Sequence, residues 1–526
     1  MSGERCLIFQ RDGSMLLETA SPGFAAARDA LRRFAELVQS AGGYHVYRPT
    51  EVTLWGAAAS GFDARQIVAV LERYGLHPPP RALIARIQEL SARYGLLRLE
   101  GAPAALQLTS DDAGLVRRLA GELGLEESGG GFAVPDERRG AVKRALAERG
   151  YPVLDQAALA AAEAVDFTLR PEVRLRSYQR EAVERFVALG WPGAVVLLPC
   201  GAGKTVVGVA SAAALGVRTL VVTPSRTIGE QWVEHLRRLT TLPARQVGVF
   251  RRGVVPLAAT VVTYQALTAR GGAGLAELLD LPWGLVIYDE VHTLPADVFR
   301  QSAALQSRRR LGLTATLVRE DGREREVFAL VGPPAFAAPW RELERQGWIA
   351  PVDCVEVRVG PPQGREPTPA RLLAAKLAAA RALLARHPES PALLIAHRLQ
   401  EVAALAHACE APLITGETPA EERRRLYDAF RRGEIGRLAV SRVANAGVDL
   451  PGAALLVQLS GAFGSRQEEA QRVGRLLRPK ADGEPARFYS LVGVGEGTRE
   501  REFAARRQRF LVDQGYRYRV IEAGEL

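Results

Sequence analysis

One stretch decides the fold of this chain: Leu197-Leu198-Pro199-Cys200-Gly201-Ala202-Gly203-Lys204-Thr205. Apolar residues precede it at 194–196 and follow it from position 206, which is the pattern of a buried strand, a glycine-containing turn and a helix start. A turn of this kind points backbone N–H groups and the positive end of the helix at an anion. In such a loop the lysine reaches the β- and γ-phosphates of a nucleotide, and the threonine hydroxyl binds Mg²⁺. The stretch therefore predicts a site for ATP and Mg²⁺ formed by residues 199–205.

The match to the phosphate-loop motif departs from its strict form at one position. Leu198 stands where the strict motif has glycine. Gly201 and Gly203 still supply the backbone freedom that a close approach to phosphate needs. Taken alone, the stretch also fits a glycine turn that caps a core helix, so the prediction depends on motifs elsewhere in the chain.

Length and composition indicate a globular chain of several domains. Its 526 residues exceed what one hydrophobic core supports, and 47% hydrophobic with 24% charged residues favours neither disorder nor a membrane protein. The formal net charge of +10 fits a polyanion partner such as nucleic acid. No apolar run reaches transmembrane length and no signal segment opens the sequence, so we expect a cytoplasmic protein without a membrane partner. The cysteines are too far apart to predict a disulfide framework or a zinc site: Cys6, Cys200, Cys354 and Cys409.

Strands and helices alternate in two regions, which is the sequence pattern of parallel sheets with helical crossovers. In the first region, apolar runs predict strands at 194–198, 219–223, 259–263, 285–288 and 311–314. In the second region, they predict strands at 392–396, 413–415, 437–441, 454–459 and 487–491. Residues 351–369, which carry Gly360-Pro361-Pro362, are predicted to form a linker between the regions.

The part of the chain before these regions predicts smaller units of mixed strands and helices. A hairpin is indicated at Asp12-Gly13, and helical periodicity covers residues 24–38, 62–74 and 81–94. Between 96 and 153, alternating strands accompany two helices, one capped by residues 110–112 and one spanning 136–149. Basic residues on these helices fit a solvated face as well as a DNA contact.

A pair of carboxylates follows the fourth predicted strand of the first region, in Asp289-Glu290-Val291-His292. Ligands of open α/β sheets bind at the carboxyl ends of the strands. We therefore assign Asp289 to Mg²⁺, which it would hold through water, and Glu290 to polarising the attacking water. The alternative is an acidic strand end that faces solvent.

Further candidates flank the predicted phosphate site. Thr314 and Thr316 end another apolar strand, where their hydroxyls could bond the loop of His292 and sense the γ-phosphate; a plain strand-to-turn exit would look the same. Upstream, Gln179 offers an amide with one donor side and one acceptor side for the adenine edge, and Arg176 belongs to the same segment.

The second region carries two arginines that fit a role in hydrolysis. Arg475 and Arg478 lie three residues apart and so share one face of a helix. An arginine finger stabilises charge on the transferring γ-phosphoryl group, and its place in a different domain from Lys204 would make hydrolysis depend on closure of the two domains. Gly447 and Asp449 add a turn and a carboxylate that could bind a ribose. A surface arginine is the simpler interpretation of each guanidinium.

Together, these motifs resemble those of a known family. The strings that carry the resemblance are LLPCGAGKT, TPSRTIGEQW, DEVH, GLTATLVRED, FGSRQEEAQRVGRLLRP and RRQRFLVDQGYRYRVI. They are similar to those of the XPB-type DNA helicases of superfamily two. The phosphate loop, DEVH and QRxGRxxR strings occur across that superfamily, whereas LPCGAGK, Arg319-Glu320-Asp321 and RQRFLVDQGY are more discriminating. Tyr47-Arg48-Pro49-Thr50 and Leu54-Trp55 resemble the N-terminal domain of bacterial members.

The resemblance implies an α/β fold of two RecA-like parallel-sheet motor domains preceded by small α+β N-terminal domains. The implied divisions are an N-terminal α+β domain over 1–95, a damage-recognition-like domain over 96–165, an ATP-binding motor domain over 166–350 and a second motor domain over 351–526. Arg319, Glu320 and Asp321 would match the strand-separating element of the family, and Gln471 would help to couple hydrolysis to motion. One departure is that residues 352–372 are too few for the family's thumb-like helical insertion, so that grip on DNA is expected to be reduced or absent.

The function implied by the resemblance is that of a monomeric, ATP-dependent 3′→5′ DNA helicase or translocase. It would act on single-stranded and duplex junctions in DNA repair, with a nuclease as a candidate partner. Backbone amides and hydroxyls of both motor domains would follow phosphates without reading bases; the candidates are Thr223, Ser225, Arg226, Thr263, Tyr264, Ser441 and Arg442. Two alternatives stay open at this point: a remodelling ATPase that pulls on duplex without processive unwinding, and a nucleotide-gated binding scaffold. Only the resemblance favours DNA over RNA as the track.

Overall fold

The computed structural model describes two units. The first unit comprises Met1–Leu198 and Gly203–Ala338, and the second comprises Pro199–Ala202 and Pro339–Leu526. Within the described part, no helix is both long enough and apolar enough to span a membrane. The described residues are 4–41, 43–102, 104–157, 162–189, 192–268, 277–279, 281–293, 305, 307–315, 324–360, 368–441, 453–461, 469, 472–474, 476, 485–495 and 498–526.

The N-terminal part of the first unit contains two small sheets. Its elements are β1 (Leu7–Phe9), β2 (Met15–Glu18), α1 (Phe24–Leu31), β3 (Glu36–Ala41), β4 (Tyr44–Arg48), α2 (Glu51–Ala59), α3 (Ala64–Tyr74), α4 (Arg81–Ala92), β5 (Leu97–Glu100), β6 (Leu106–Ser110), α5 (Ala113–Glu122), β7 (Glu127–Ser128), β8 (Gly131–Val134), α6 (Arg139–Glu148) and β9 (Val153–Asp155). The strand orders are β1-β2-β4-β3 and β7-β8-β6-β5-β9. In β2, buried and half-buried residues alternate, so one face packs on the core.

The remainder of the first unit is built on a parallel sheet. Its elements are α7 (Ser177–Ala188), β10 (Gly193–Leu197), α8 (Lys204–Leu215), β11 (Thr219–Thr223), α9 (Arg226–Leu239), β12 (Val247–Val249), β13 (Ala259–Thr263), α10 (Tyr264–Thr268), β14 (Trp283–Asp289), β15 (Ser307–Thr314), α11 (Glu324–Leu330) and β16 (Pro334–Ala337). The strand order is β12-β13-β11-β14-β15-β10-β16, with every pairing parallel. All residues of β14 are buried, as expected for a strand covered on both faces. Because the strands are parallel, their carboxyl ends share one edge of the sheet.

The second unit repeats this architecture. Its elements are α12 (Trp340–Arg345), β17 (Val352–Val359), α13 (Pro369–Arg386), β18 (Ala392–Ile395), α14 (Leu399–Ala408), β19 (Leu413–Ile414), α15 (Ala420–Arg431), β20 (Arg437–Val440), β21 (Leu455–Gln458), β22 (Ala486–Gly493), α16 (Glu500–Asp513) and β23 (Tyr518–Glu522). The strand order is β19-β20-β18-β21-β22-β17-β23, again with parallel pairings. Aliphatic side chains of α13, α14 and the central strands form its core.

The sheets confirm the predicted fold class, and every strand that was predicted in the two parallel regions is present. Two other element predictions are wrong. The helix expected over 24–38 ends at Leu31, and residues from Glu36 onward form β3 because they pair with β4. The linker expected over 351–369 contains β17, which lies inside the sheet between β22 and β23. The prolines and glycine that flank this strand led to the prediction of a linker. The buried valines at 355, 357 and 359 nevertheless alternate along the chain, as in a sheet.

Helix α11 packs against two helices of the N-terminal part, α2 and α6. The ring of Phe328 lies 5.8 Å from the ring of Trp55 on α2 and 5.8 Å from that of Tyr94. Beside it, the Arg325 guanidinium bonds the Glu51 carboxylate at 2.5 Å and the Glu148 carbonyl oxygen at 3.3 Å. The N-terminal helices therefore attach to the parallel-sheet part of this unit through an apolar cluster with an ion pair at its edge.

Removing the Phe328 side chain should destabilise the first unit. Phe328 is buried, and truncating a buried phenylalanine to alanine costs about 3–5 kcal/mol. We expect Phe328→Ala to lower the midpoint of the first transition in urea unfolding, followed by circular dichroism. Leu76→Ala is the control, since Leu76 is 41% exposed and a surface truncation changes stability by about 0.5 kcal/mol or less. Equal midpoints for the two variants would contradict the packing described for α11.

Candidate nucleotide-binding site

The phosphate loop joins β10 to α8 with the backbone conformation that the motif requires. Gly201 and Gly203 both have φ of +80°, a region that favours glycine. Gly203 is the N-cap of α8, and the amide of Ala202 donates to the carbonyl of Pro199 at 3.2 Å. Lys204 therefore begins a helix whose positive end faces the loop, and Thr205 follows in its first turn.

The amide of Gln179 lies against this loop. Its Oε1 accepts from the backbone N–H of Arg176 at 3.0 Å, at the start of α7. A Cβ atom built on Gly203 would lie 2.5 Å from Gln179 Nε2. The Arg176 guanidinium donates to the Tyr178 hydroxyl at 3.1 Å. The predicted adenine-reading segment is thus in contact with the phosphate loop, and the buried Gln179 amide also caps its own helix.

Substituting Gly203 with alanine should weaken nucleotide binding. The new Cβ meets Gln179, and alanine at this φ carries strain of about 1–3 kcal/mol, so we expect the affinity for ATP to fall about ten-fold or more. Gly216→Ala is a matched control at the other end of α8, because Gly216 has φ of +58° but its Cβ would meet only ordinary contacts. Fluorescence titration with a labelled ATP analogue measures both. Equal losses of affinity would show that the loop geometry is not responsible.

The two predicted carboxylates end β14 and meet the loop lysine. Lys204 Nζ lies 2.5 Å from Glu290 Oε1, and the two side chains are 9% and 17% exposed. Glu290 has φ of +50°, a conformation that costs a residue with a side chain free energy and occurs mostly at functional sites. The structure thus brings Lys204 and Glu290 together across 86 positions of sequence, as the nucleotide-site prediction requires.

Asp289 is enclosed by groups that fix its position. Trp232 Nε1 on α9 donates to its Oδ2 at 2.8 Å, and the Tyr264 hydroxyl donates to its backbone carbonyl at 2.5 Å. Burial, and after it the charge of Glu290, raises the pKa of Asp289 to about 6, against the opposing effects of Lys204 and Trp232. A buried carboxylate beside a second one is a site that a cation would stabilise.

The residues assigned to coupling lie beside this pair. His292 occupies a 3₁₀ turn, Val291–Thr293, that follows β14. Its Nδ1 lies 2.5 Å from the Thr314 hydroxyl at the end of β15 and 3.5 Å from Glu290 Oε2. All three side chains therefore form one connected polar group at the carboxyl edge of the sheet, as the sequence predicted for His292 and Thr314.

The residues assigned to DNA lie at the carboxyl ends of neighbouring strands. Thr223 and Thr263 are paired at the ends of β11 and β13, Ser225 caps α9 through the amide of Ile228, and Arg226 is exposed. The hydroxyls of Thr223 and Tyr264 are buried and bond backbone carbonyls in this structure, and their contact with DNA phosphates stays a prediction. The backbone of both segments remains a candidate. In the second unit, buried Ser441 follows β20.

Several predicted residues lie outside the described part of the chain, and their roles stay predictions. They are Thr316, Arg319, Glu320, Asp321, Arg442, Gly447, Asp449, Gln471, Arg475 and Arg478.

Sequence reasoning assigned no role to two sets of polar contacts. One is the bond from Trp232 to Asp289; the only signal was the TPSRTIGEQW string. The other surrounds Glu469, which is fully buried and accepts from Arg507 at 3.2 Å, Tyr518 at 2.9 Å and Gln458 at 3.0 Å. Arg507 and Tyr518 of the RQRFLVDQGYRY string thus hold Glu469, which gives this string a structural role within the second unit.

The donor set fits Mg²⁺ bound with a nucleotide. Hard oxygen ligands, usually one or two protein groups with waters and phosphates, suit this ion. Asp289 and Thr205 supply a carboxylate and a hydroxyl next to the lysine of the loop. Among the described residues there is no cluster of His, Cys, Asp and Glu that would form an all-protein metal cage.

Three protein-family models match the chain. One described as ERCC3/RAD25/XPB C-terminal helicase matches residues 374–525. One described as the res subunit of type III restriction enzymes matches residues 172–319. One described as a helicase conserved C-terminal domain matches residues 7–130, at the N-terminal end of this chain.

Relatives match along nearly the whole length. The chain is 44% identical to the DNA 3′-5′ helicase XPB of Mycobacterium tuberculosis, over 99% of this chain and 98% of the relative. It is 32% identical to the general transcription and DNA repair factor IIH helicase/translocase subunit XPB of Antonospora locustae, over 99% and 82%. Among solved structures, Dbp5 of S. cerevisiae, bound to RNA and ADP BeF3, covers 77% of this chain and 96% of its own at 14% identity, with a TM-score of 0.50. The similarity to Dbp5 shows a shared fold and nothing further.

Proposed function

This chain belongs to the XPB family of DNA 3′-5′ helicases, and we propose that it hydrolyses ATP to move along DNA and open duplexes in DNA repair. The observation that carries the proposal is the 44% identity with a named DNA 3′-5′ helicase over almost the full length of both chains. It is supported by the Lys204–Glu290 contact at the carboxyl edge of the first parallel sheet. No observation favours either alternative, the nucleotide-gated binding scaffold or the remodelling ATPase.

The arrangement of side chains suggests how the reaction proceeds. An ammonium group has three N–H donors, so Lys204 can bond Glu290 and the phosphate oxygens of ATP at the same time. Glu290, held by that bond, would accept the proton of the attacking water. Arg475 and Arg478 would stabilise charge on the transferring γ-phosphoryl group from the second motor domain. His292 and Thr314 would transmit the state of Glu290 to the end of β15.

Asp289 and Thr205 are the residues that would hold Mg²⁺. The ion would neutralise charge on the β- and γ-phosphates. The protein's own contribution is to orient Asp289 by hydrogen bonds from Trp232 and Tyr264, and to exclude water through the burial of Asp289 and Lys204.

ATP turnover measured in parallel without polymer, with single-stranded DNA, with duplex DNA and with RNA tests the proposal. We expect DNA to raise turnover several-fold and RNA to raise it less. Strand displacement on duplexes with a 3′ or a 5′ tail then tests polarity, and the 3′-tailed duplex should open. Turnover that DNA does not raise would favour the scaffold alternative, and equal stimulation by RNA would contradict DNA as the track.

Other parts of the sequence interpretation stay predictions. These are a monomeric state, a cytoplasmic location, a nuclease partner, strand separation by residues 319–321 and the domain limits at 95, 165 and 350. The expected reduction or absence of a thumb-like grip on DNA also stays a prediction.

A further inference from the structure

Trp232 occupies an unusual position for a core tryptophan. It lies on the buried face of α9 with Ile228 and Leu236, one helical turn away on either side. Its side chain is fully buried, and its indole N–H donates to a carboxylate, Asp289 Oδ2, at 2.8 Å. Since this carboxylate is the one assigned to Mg²⁺, the indole sets the orientation of a group in the nucleotide site.

The phosphate-loop helix makes room for this ring. A Cβ atom built on Gly208 of α8 would lie 2.5 Å from Trp232 Cη2 and 3.2 Å from Cζ3. Only glycine at this position lets the indole lie against the backbone of α8. The ring is therefore held between the helix that begins at Lys204 and the end of β14.

A second buried hydrogen bond reaches the same residue from the end of β13, which lies two strands from β14 in the sheet. Tyr264 follows β13 directly, and its hydroxyl donates to the Asp289 carbonyl at 2.5 Å. Because Thr263 pairs with Thr223 at the ends of β13 and β11, both connections start from one edge of the sheet. Trp232 lies seven residues beyond Ser225, which is about 10 Å along the helix.

We propose that Trp232 and Tyr264 are positioning residues that connect the two DNA-tracking segments, 223–226 and 263–264, to Asp289, so that DNA binding sets the orientation of this carboxylate and thereby raises ATP turnover. Tyr264, within the second segment, bonds the Asp289 backbone carbonyl, and Trp232, on the helix that follows the first segment, bonds the Asp289 carboxylate. Contiguous buried bonds of this kind are a physical route for coupling between two sites. The inference rests on the proposed function, because it takes DNA as the ligand of these segments.

Trp283 provides a matched comparison within the same unit. It is buried to the same degree as Trp232, and its indole N–H donates to the Leu278 backbone carbonyl at the same distance, 2.8 Å. It lies at the start of β14, whereas Asp289 lies at the end. Trp283→Phe therefore removes a similar buried hydrogen bond without touching Asp289.

The test compares the full-length variants Trp232→Phe, Tyr264→Phe and Trp283→Phe. The first readout is the ratio of ATP turnover with and without duplex DNA. The second is equilibrium binding of a fluorescent, non-hydrolysable ATP analogue as Mg²⁺ is varied, with and without DNA. Loss of one buried hydrogen bond changes an equilibrium about five-fold. We expect Trp232→Phe and Tyr264→Phe each to lower the stimulation ratio about five-fold, and to raise by a similar factor the Mg²⁺ concentration at half-maximal binding. Trp283→Phe should keep the wild-type ratio.

Three results separate the possibilities. If Trp232→Phe and Tyr264→Phe keep the wild-type ratio and Mg²⁺ dependence, the inference is wrong. It is also wrong if Trp283→Phe loses both to the same extent, because the effect then reflects stability alone. If DNA does not stimulate the wild-type protein, the proposed function is wrong instead. Should Trp232→Phe fail to fold, Tyr264→Phe decides the question, since it keeps the buried ring and removes only the hydroxyl.

Discussion

Replacing Lys204 with alanine is expected to lower DNA-stimulated ATP turnover by about 10²- to 10³-fold, the loss typical of removing one preorganised group that stabilises developing charge. Lys204 Nζ lies 2.5 Å from Glu290 Oε1, and its charge opposes the rise in the pKa of Asp289. Without the Lys204 ammonium group, the repulsion between the Glu290 and Asp289 carboxylates is not offset, and the phosphates of ATP lose a cationic partner. Steady-state turnover with saturating duplex DNA measures the effect, and circular dichroism checks that the variant is folded.

A second buried lysine gives the control for this substitution. Lys376 Nζ lies 2.5 Å from Glu500 Oε2 in the second unit, and its side chain is 5% exposed. Lys376→Ala breaks an ion pair of the same length that also has a buried lysine, although Glu500 is 39% exposed and Glu290 17%, so it controls for the removal of a buried, paired lysine. If turnover falls equally in both variants, or stays unchanged in Lys204→Ala, the assignment of the phosphate site to Lys204 fails.

The second large effect is expected for Glu290→Gln. Glutamine keeps the shape of the side chain and can still accept a hydrogen bond from Lys204, but it cannot take a proton from water. We expect turnover to fall about 10²- to 10⁴-fold while the affinity for ATP stays within about three-fold, since Lys204 keeps a hydrogen-bond acceptor at position 290 and can still bond the phosphates. Single-turnover hydrolysis and equilibrium binding of the nucleotide measure the two quantities separately.

Glu500→Gln is the matched variant for Glu290→Gln. It neutralises the carboxylate of the Lys376 pair, which also accepts from the backbone N–H of Gly493 at 2.7 Å. Turnover in Glu500→Gln should remain close to that of the wild type. A Glu290→Gln protein that hydrolyses ATP at the wild-type rate would show that another group accepts the proton.

The parts of the fold that could be predicted are those that short stretches of sequence specify alone. β11 and β13 have the bounds that their apolar runs predict, because a strand buried on both faces has no charged residue to interrupt the run. β17 was assigned to a linker because Gly360-Pro361-Pro362 follow it directly and are typical of a loop. The helix over 24–38 was too long because apolar spacing alone cannot show where α1 gives way to β3.

In the candidate site, too, the features that short stretches specify were predictable and the long-range contacts were not. The phosphate loop and the Asp289–Glu290 pair are contiguous strings whose chemistry is readable from residue type and order. The bond from Trp232 to Asp289 spans 57 positions, and that from Tyr264 spans 25. Both depend on the strand order of the sheet and on the room that Gly208 leaves for the indole, which no local pattern encodes.

The packing of α11 has a consequence for anyone who dissects this protein into fragments. A recombinant motor fragment that starts at Asp166 keeps α11 but loses Trp55, Tyr94 and the other groups that cover Phe328. Its newly bared aromatic surface would favour self-association during purification. A fragment with Phe328 exchanged for a polar residue should therefore yield more monodisperse material than one with the natural side chain.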